Sequence, residues 1–170
     1  MLEHHARLIA LFNYAREVVG RKKLQKMVYI AKKLEFPFCE KYQFHFYGPY
    51  SEELTLRVEE LCNLGFIEET KEKVSGYYQY RYTLTEQGEQ FLKHYDLDLE
   101  PLQSCVDSMN EQPSRILELI STILYFDHLS KDEIIEKVQK VKQKQKYTSE
   151  EIEEAFQYIE DLKTQKTVVS

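Results

Sequence analysis

Residues 42–85 read YQFHFYGPYSEELTLRVEELCNLGFIEETKEKVSGYYQYRYTLT, and the rest of the chain is organised around them. Tyr42-Gln43-Phe44-His45-Phe46-Tyr47 alternates aromatic and polar residues, the period of a half-buried strand. Gly48-Pro49 breaks it, since proline has no amide proton and glycine relaxes the turn. Ser51 is placed to cap a helix whose first turn holds Glu52 and Glu53, where the helix dipole favours anions. Leu54, Val58 and Leu61 form its apolar stripe, and Gly65 is a left-handed stop. Phe66 to Lys73 and Tyr77 to Leu84 predict two strands around Ser75-Gly76, with Thr85 opening another helix. This succession is the layout of a winged helix-turn-helix.

Upstream, Leu8, Leu11, Phe12, Ala15, Val18 and Val19 recur at threes and fours, predicting a first helix that ends at Gly20. Arg21 to Leu34 repeats the pattern with Leu24, Met27, Val28 and Ala31. It carries Arg21, Lys22, Lys23, Lys26, Lys32 and Lys33 and no acid, so an apolar stripe with a basic outer face is expected. Pro37 disfavours the helical region for Phe36. On the second wing strand Tyr78, Tyr80 and Tyr82 share one side, and Gly88 in the next helix allows close approach to the sheet.

Downstream, Asp96-Leu97-Asp98-Leu99-Glu100-Pro101 is the best boundary, dividing a domain of residues 1–96 from a helical extension of 97–170. Leu102, Cys105, Val106 and Met109 predict a short helix, and Pro113 opens the next. That helix, from Ile116 to Phe126, is apolar around much of its circumference. It is expected at the centre of the extension, packed on the first domain or against a second copy as a homodimer seam. Ser130 with Glu133, and Thr148 with Glu151, make capping boxes for two further helices. Lys137 to Lys146 contains lysines and no acid, and fraying is expected from Thr164. The fold class is therefore α+β, mostly α.

Composition narrows function. A net charge of -6 in 170 residues counts against gripping nucleic acid as the main task. Cys39, Cys62 and Cys105 lie far apart, which fits a reducing compartment better than a disulfide framework. No run is long and apolar enough to span a bilayer, and the N-terminus lacks a signal-peptide core, so a soluble cytoplasmic protein is expected. His4, His5, His45, His94 and His128 do not combine with cysteines at metal spacing. His4-His5 reads as a solvated doublet, His45 as a partly buried, hydrogen-bonded strand residue, and Cys62 as a small core residue. No catalytic or phosphate-binding motif is present. No enzyme activity, cofactor or metal is expected.

The helix that would enter a major groove carries Glu52, Glu53, Glu59 and Glu60 against a single Arg57, and phosphate repels carboxylates. A protein partner suits this charge better, steered by a dipolar surface. The expected contact residues are Arg21, Lys22, Lys23, Lys26, Tyr50, Glu52 and Glu53. The alternative is a DNA-binding regulator using Lys22, Lys26, Arg57 and the wing residue Arg81.

Three segments carry a resemblance. Gly20-Arg21-Lys22-Lys23-Leu24-Gln25-Lys26-Met27-Val28-Tyr29-Ile30-Ala31, then Phe46-Tyr47-Gly48-Pro49-Tyr50-Ser51-Glu52-Glu53-Leu54, then Leu64-Gly65-Phe66-Ile67-Glu68, resemble the YwgA family of bacterial proteins. The same order of motifs is similar, more distantly, to the SocA-type (Panacea) antitoxin domain. That likeness implies action through protein contacts, in some members as adaptors for proteolysis. Tyr82-Thr83-Leu84-Thr85-Glu86-Gln87-Gly88 is similar to the wing exit of winged-helix regulators. The resemblance covers about residues 20–90 and brings no catalytic residues with it.

Overall fold

A computed structural model describes residues 2–46, 48–95, 97 and 99–169, with side chains to 165. It is α+β and mostly helical. The first helix, α1 (Glu3–Ala15), buries Ala6, Leu8, Ile9, Ala10, Leu11 and Phe12. It stops sooner than its periodicity predicts, because Arg16 turns to φ +68° and Glu17–Val19 becomes strand β1. Two adjacent β-branched residues are stiff at χ1 and suit a pleated surface better than a helix end. Val18 is fully buried there, and β1 runs antiparallel to the strand containing Thr83, Tyr82 and Arg81.

Helix α2 (Arg21–Lys33) departs most from expectation. Every residue from Leu24 to Ala31 is buried, including Gln25 and Lys26, so a basic outer face does not exist along its middle. Two layers cover it. One is the N-terminal unit; the other is α6 (Ser114–Tyr125), which packs along it and buries Leu117, Leu119, Ile120, Ile123 and Leu124. Between them, α5 (Glu100–Glu111) lies along α1 with Leu102, Cys105, Val106 and Met109 all fully buried. Two more helices, α7 (Lys131–Val141) and α8 (Ser149–Val169), close the outer side, joined by a 3-10 turn at Gln143–Gln145. Helix α8 continues past Thr164. Apolar residues of both halves form one cluster, so the core runs across the Asp96–Pro101 segment without a gap. Asp96 and Asp98 themselves lie outside the described residues.

The 42–50 stretch is a hairpin where one strand was expected. β2 (Gln43–His45) pairs with β3 (Gly48–Tyr50), placing Phe44 opposite Pro49 and His45 opposite Gly48. Gly48, at φ +88°, adopts a backbone conformation that glycine takes at no steric cost. Pro49 needs no ladder partner for a missing amide, and edge strands admit proline for that reason. Tyr47 lies outside the described residues.

The capping signals hold. Ser51 Oγ accepts from Leu54 N at 3.1 Å to start α3 (Glu52–Asn63), which buries Leu54, Val58 and Leu61. Gly65 ends this segment at φ +79°. Strands β4 (Ile67–Val74) and β5 (Tyr77–Leu84) follow, with Ser75 and Gly76 both at positive φ, as tight hairpins require. Sheet order is β1-β5-β4, leaving β4 at the edge. Thr85 caps α4 (Glu86–Leu92), accepting from Gly88 N at 3.0 Å. Ser130 and Glu133 bond reciprocally at the head of α7, as Thr148 and Glu151 do at α8. Among the described residues no helix is long and apolar enough to cross a membrane.

Gly88 sets the closest approach of α4 to the sheet. A Cβ there would stand 2.3 Å from the Phe66 carbonyl oxygen and 2.6 Å from Leu84 Cδ1. Backbone cannot yield as a flexible side chain does, so Gly88→Ala should cost about 1–3 kcal/mol. Urea titration followed by circular dichroism should show a lower midpoint at an unchanged slope.

Candidate functional site

The residue that positions the surface is Gln25. Its side-chain amide, only 5% exposed, donates to Ser51 O at 2.9 Å and accepts from Ser51 N at 2.8 Å. It also donates to Thr55 Oγ1 at 3.1 Å, and Thr55 meets Tyr50 Oη at 3.0 Å. One buried amide thus satisfies both backbone groups of a helix cap and ties the first turn of α3 to α2. An unmatched backbone group in that place would cost stability.

Between α2 and α3 lies a groove of about 560 Å³, floored by Leu24, Leu54 and Val58. Arg21, Lys22, Lys26 and Tyr50 all line it, so four of the expected contact residues converge there. Arg21 is already engaged. Its guanidinium stacks 3.6 Å from the Tyr80 ring centroid, donates to Tyr82 Oη at 3.3 Å and pairs with Glu69 at 3.4 Å. Cys62 lines the same groove, its thiol pushed up by burial and by Glu69 and Glu59, in keeping with an inert packing residue.

The remaining expected residues go elsewhere. Lys23 donates to the Asn110 carbonyl on α5. Glu53 accepts from Lys41 N at 3.1 Å, and Glu52 is exposed at the start of α3. Of the set considered for DNA, Arg57 is bonded to the buried Glu40, while Arg81 pairs with Glu17 at 2.7 Å and Glu72 at 2.8 Å. These side chains do not make one basic face. His45 is exposed, with its ring 5.2 Å from Tyr50, and is not the partly buried residue expected.

Lys26 requires the largest correction. It is 2% exposed, and its ammonium donates to Pro49 O at 2.9 Å. Lys142, from the late lysine-rich segment and equally buried, donates to Phe46 O at 3.0 Å. Two lysines from opposite ends of the chain thereby hold two carbonyls of one hairpin. Glu118 of α6 stands by them, 3.7 Å from Lys142 Nζ, and accepts from Gln145 and Tyr147 Oη at 3.3 Å each. A Cβ at Gly48 would stand at ordinary contact distance from Thr122 Oγ1, Glu118 Cγ and Lys26 Nζ, so it is the φ of +88° and not crowding that favours glycine here. Gln25, Glu118, Thr122 and Lys142 escape sequence reasoning. The one available hint is a Gln-Lys pair interrupting the apolar run of α2. Among the described residues no group of three or more His, Cys, Asp or Glu side chains could hold a metal ion.

Burial pushes the Lys26 ammonium down to about 8, against the opposing pull of Glu118. The folded chain then releases this proton before the unfolded chain does, so its contribution to stability rises with pH from about 8 towards the ordinary lysine value of about 10.4. Lys26→Met should lower the slope of unfolding free energy against pH between about 8 and 10, read from urea midpoints across that range.

No family model matches the chain. It is 63% identical over 163 residues to the uncharacterized protein YwgA of Bacillus subtilis (strain 168), an alignment covering 96% of this chain and 98% of that protein.

Proposed function

The chain belongs to the YwgA family, and we propose that it is a non-enzymatic adaptor or regulatory module that binds another protein through a winged-helix scaffold. Several features support the scaffold reading. The element order is helix, strand, helix, helix, strand, strand, interrupted by the 43–50 hairpin. In the sheet order β1-β5-β4, the β4–β5 hairpin lies where a wing would be expected, which supports this reading.

The observation that carries the partner class is the outward face of α3. Glu52, Leu56, Glu59, Glu60, Asn63 and Leu64 are exposed along it, with Leu56 at 56% and Leu64 at 51%. A groove-reading helix presents cations and hydrogen-bond donors to DNA. Here two leucines are framed by carboxylates, and the one arginine of the helix is bonded to a buried glutamate. Apolar anchors inside a charged rim suit a protein surface carrying basic residues around an apolar patch. The groove beside this face, with Tyr50 and Lys22, extends the same surface. The distant likeness to antitoxin domains that act through protein contacts agrees with this reading.

Affinity capture with the tagged full chain should retain one protein in stoichiometric amount. Leu56→Arg with Leu64→Arg should reduce capture by tenfold or more, about 1.4 kcal/mol, without altering the far-UV spectrum. Unchanged capture would remove this face from the interface. Random duplex DNA titrated at about 50 and 200 mM salt should show no saturable binding; tight binding that collapses with salt would replace the adaptor reading with the DNA-binding one.

A further inference from the structure

His4, Cys39 and Arg57 come from α1, the loop after α2, and α3, and the fold brings them together. Cys39 is exposed, and its Sγ lies 3.1 Å from His4 Nδ1 and 3.6 Å from Arg57 Nη1. The doublet His4-His5 is therefore not simply solvated: His5 pairs with Glu60 at 2.6 Å while His4 faces the thiol. The tautomer of His4 follows from its other neighbour. Arg7 Nη1 lies 3.2 Å from the same Nδ1. A guanidinium can only donate, so Nδ1 is the nitrogen with the lone pair, and the Arg7 N–H and the Cys39 S–H share it. Arg57 is held in place by Glu40, a carboxylate 1% exposed, and does not drift as a surface arginine would. The second oxygen of that carboxylate, Glu40 Oε1, is buried with no hydrogen-bond partner among the described residues. An unmatched oxygen there costs stability, and such costs are tolerated where a site is organised for chemistry.

We infer that Cys39 is a nucleophilic thiol that accepts a mixed disulfide from a low-molecular-weight disulfide, with His4 as proton acceptor and Arg57 facing the developing thiolate. This assignment is independent of the adaptor reading. An acceptor on the S–H and a fixed cation beside the sulfur are what thiol activation needs. In the step, Sγ attacks one sulfur of the incoming disulfide as its proton passes to His4 Nδ1. The reagent's S–S bond breaks and a new one joins Cys39 to one half. The other half leaves as a thiolate and recovers the proton from His4. Cys39 is oxidised to the disulfide level and the departing half is reduced to a thiol, so no further oxidant is needed. Cys62 is half-buried and Cys105 buried, so Cys39 is the exposed thiol of the three.

The test uses 2-hydroxyethyl disulfide, which is neutral and gains nothing from charge attraction. The native chain at pH 7 is compared with a peptide spanning residues 35–43, and adducts are located by mass spectrometry. One adduct per chain is expected, at Cys39, forming about tenfold faster than in the peptide. His4→Gln and Arg57→Lys should each bring the rate down towards that of the peptide. A native rate equal to or below the peptide's, an adduct first at Cys62 or Cys105, or a His4→Gln rate equal to the parent's would overturn the assignment. If Arg57→Lys fails to fold, as judged by circular dichroism, His4→Gln decides alone.

Discussion

A single side-chain amide determines where the third helix can sit. Gln25 matches the N–H and the C=O of Ser51 as a neighbouring strand would, yet it comes from the middle of a buried helix. A buried amide accepts few alternatives, because each unmatched group in a low-dielectric interior carries a desolvation cost. Ser51 is held on both backbone atoms, and its hydroxyl caps α3. Tyr50 and Thr55 then fall into line through their own bond. The groove, the outward leucines and the acidic rim all inherit their orientation from this contact.

A second buried polar assembly complements it on the other side of α2. Lys26 and Lys142 grasp the hairpin carbonyls, with Glu118 nearby as counter-charge. Such groups seldom stabilise a fold relative to apolar packing, but removing one partner would leave the other's charge buried and uncompensated, at a large cost. The hairpin in turn rests on α6, and aromatic contacts of Phe44 with Tyr125 and Phe126 fill the space around it. The C-terminal helices are thus joined to the same assembly that seats the hairpin. Tyr29 and Tyr42, edge to face at 4.8 Å, extend the contact beneath α2.

Local signals were readable wherever short-range chemistry decides the outcome. Ser51, Thr85, Ser130 and Thr148 cap the helices they were expected to cap, and the Ser75-Gly76 turn joins the expected strands. Gly88 approaches the sheet as its place in the sequence implies. What failed was anything set by a distant partner. Val18 and Val19 fit a helical period, but β5 offers an open ladder and wins them. Lys26 looks like a surface cation by composition alone; it is buried because α6 and the 43–50 hairpin pack over α2, bringing Glu118 and the Pro49 carbonyl to its ammonium. Gly48-Pro49 breaks a strand only to begin another, because the return strand is a triplet too short to show alternation. Arg57 and Arg81, candidate phosphate ligands in isolation, are instead anchored to carboxylates that the fold supplies.

The position of β4 at the open margin of its sheet has a consequence for how the protein behaves in a crowded solution. An unpaired ladder of amides and carbonyls invites a second chain to add a strand, and long apolar margins do so most readily. Along β4 the sequence Glu68, Glu69, Thr70, Lys71, Glu72 and Lys73 places ionised groups on both faces of the strand. Another chain docking there would have to strip water from those charges. This margin is therefore self-protected against runaway fibril-like stacking, and the chain can keep an eight-residue strand at its periphery.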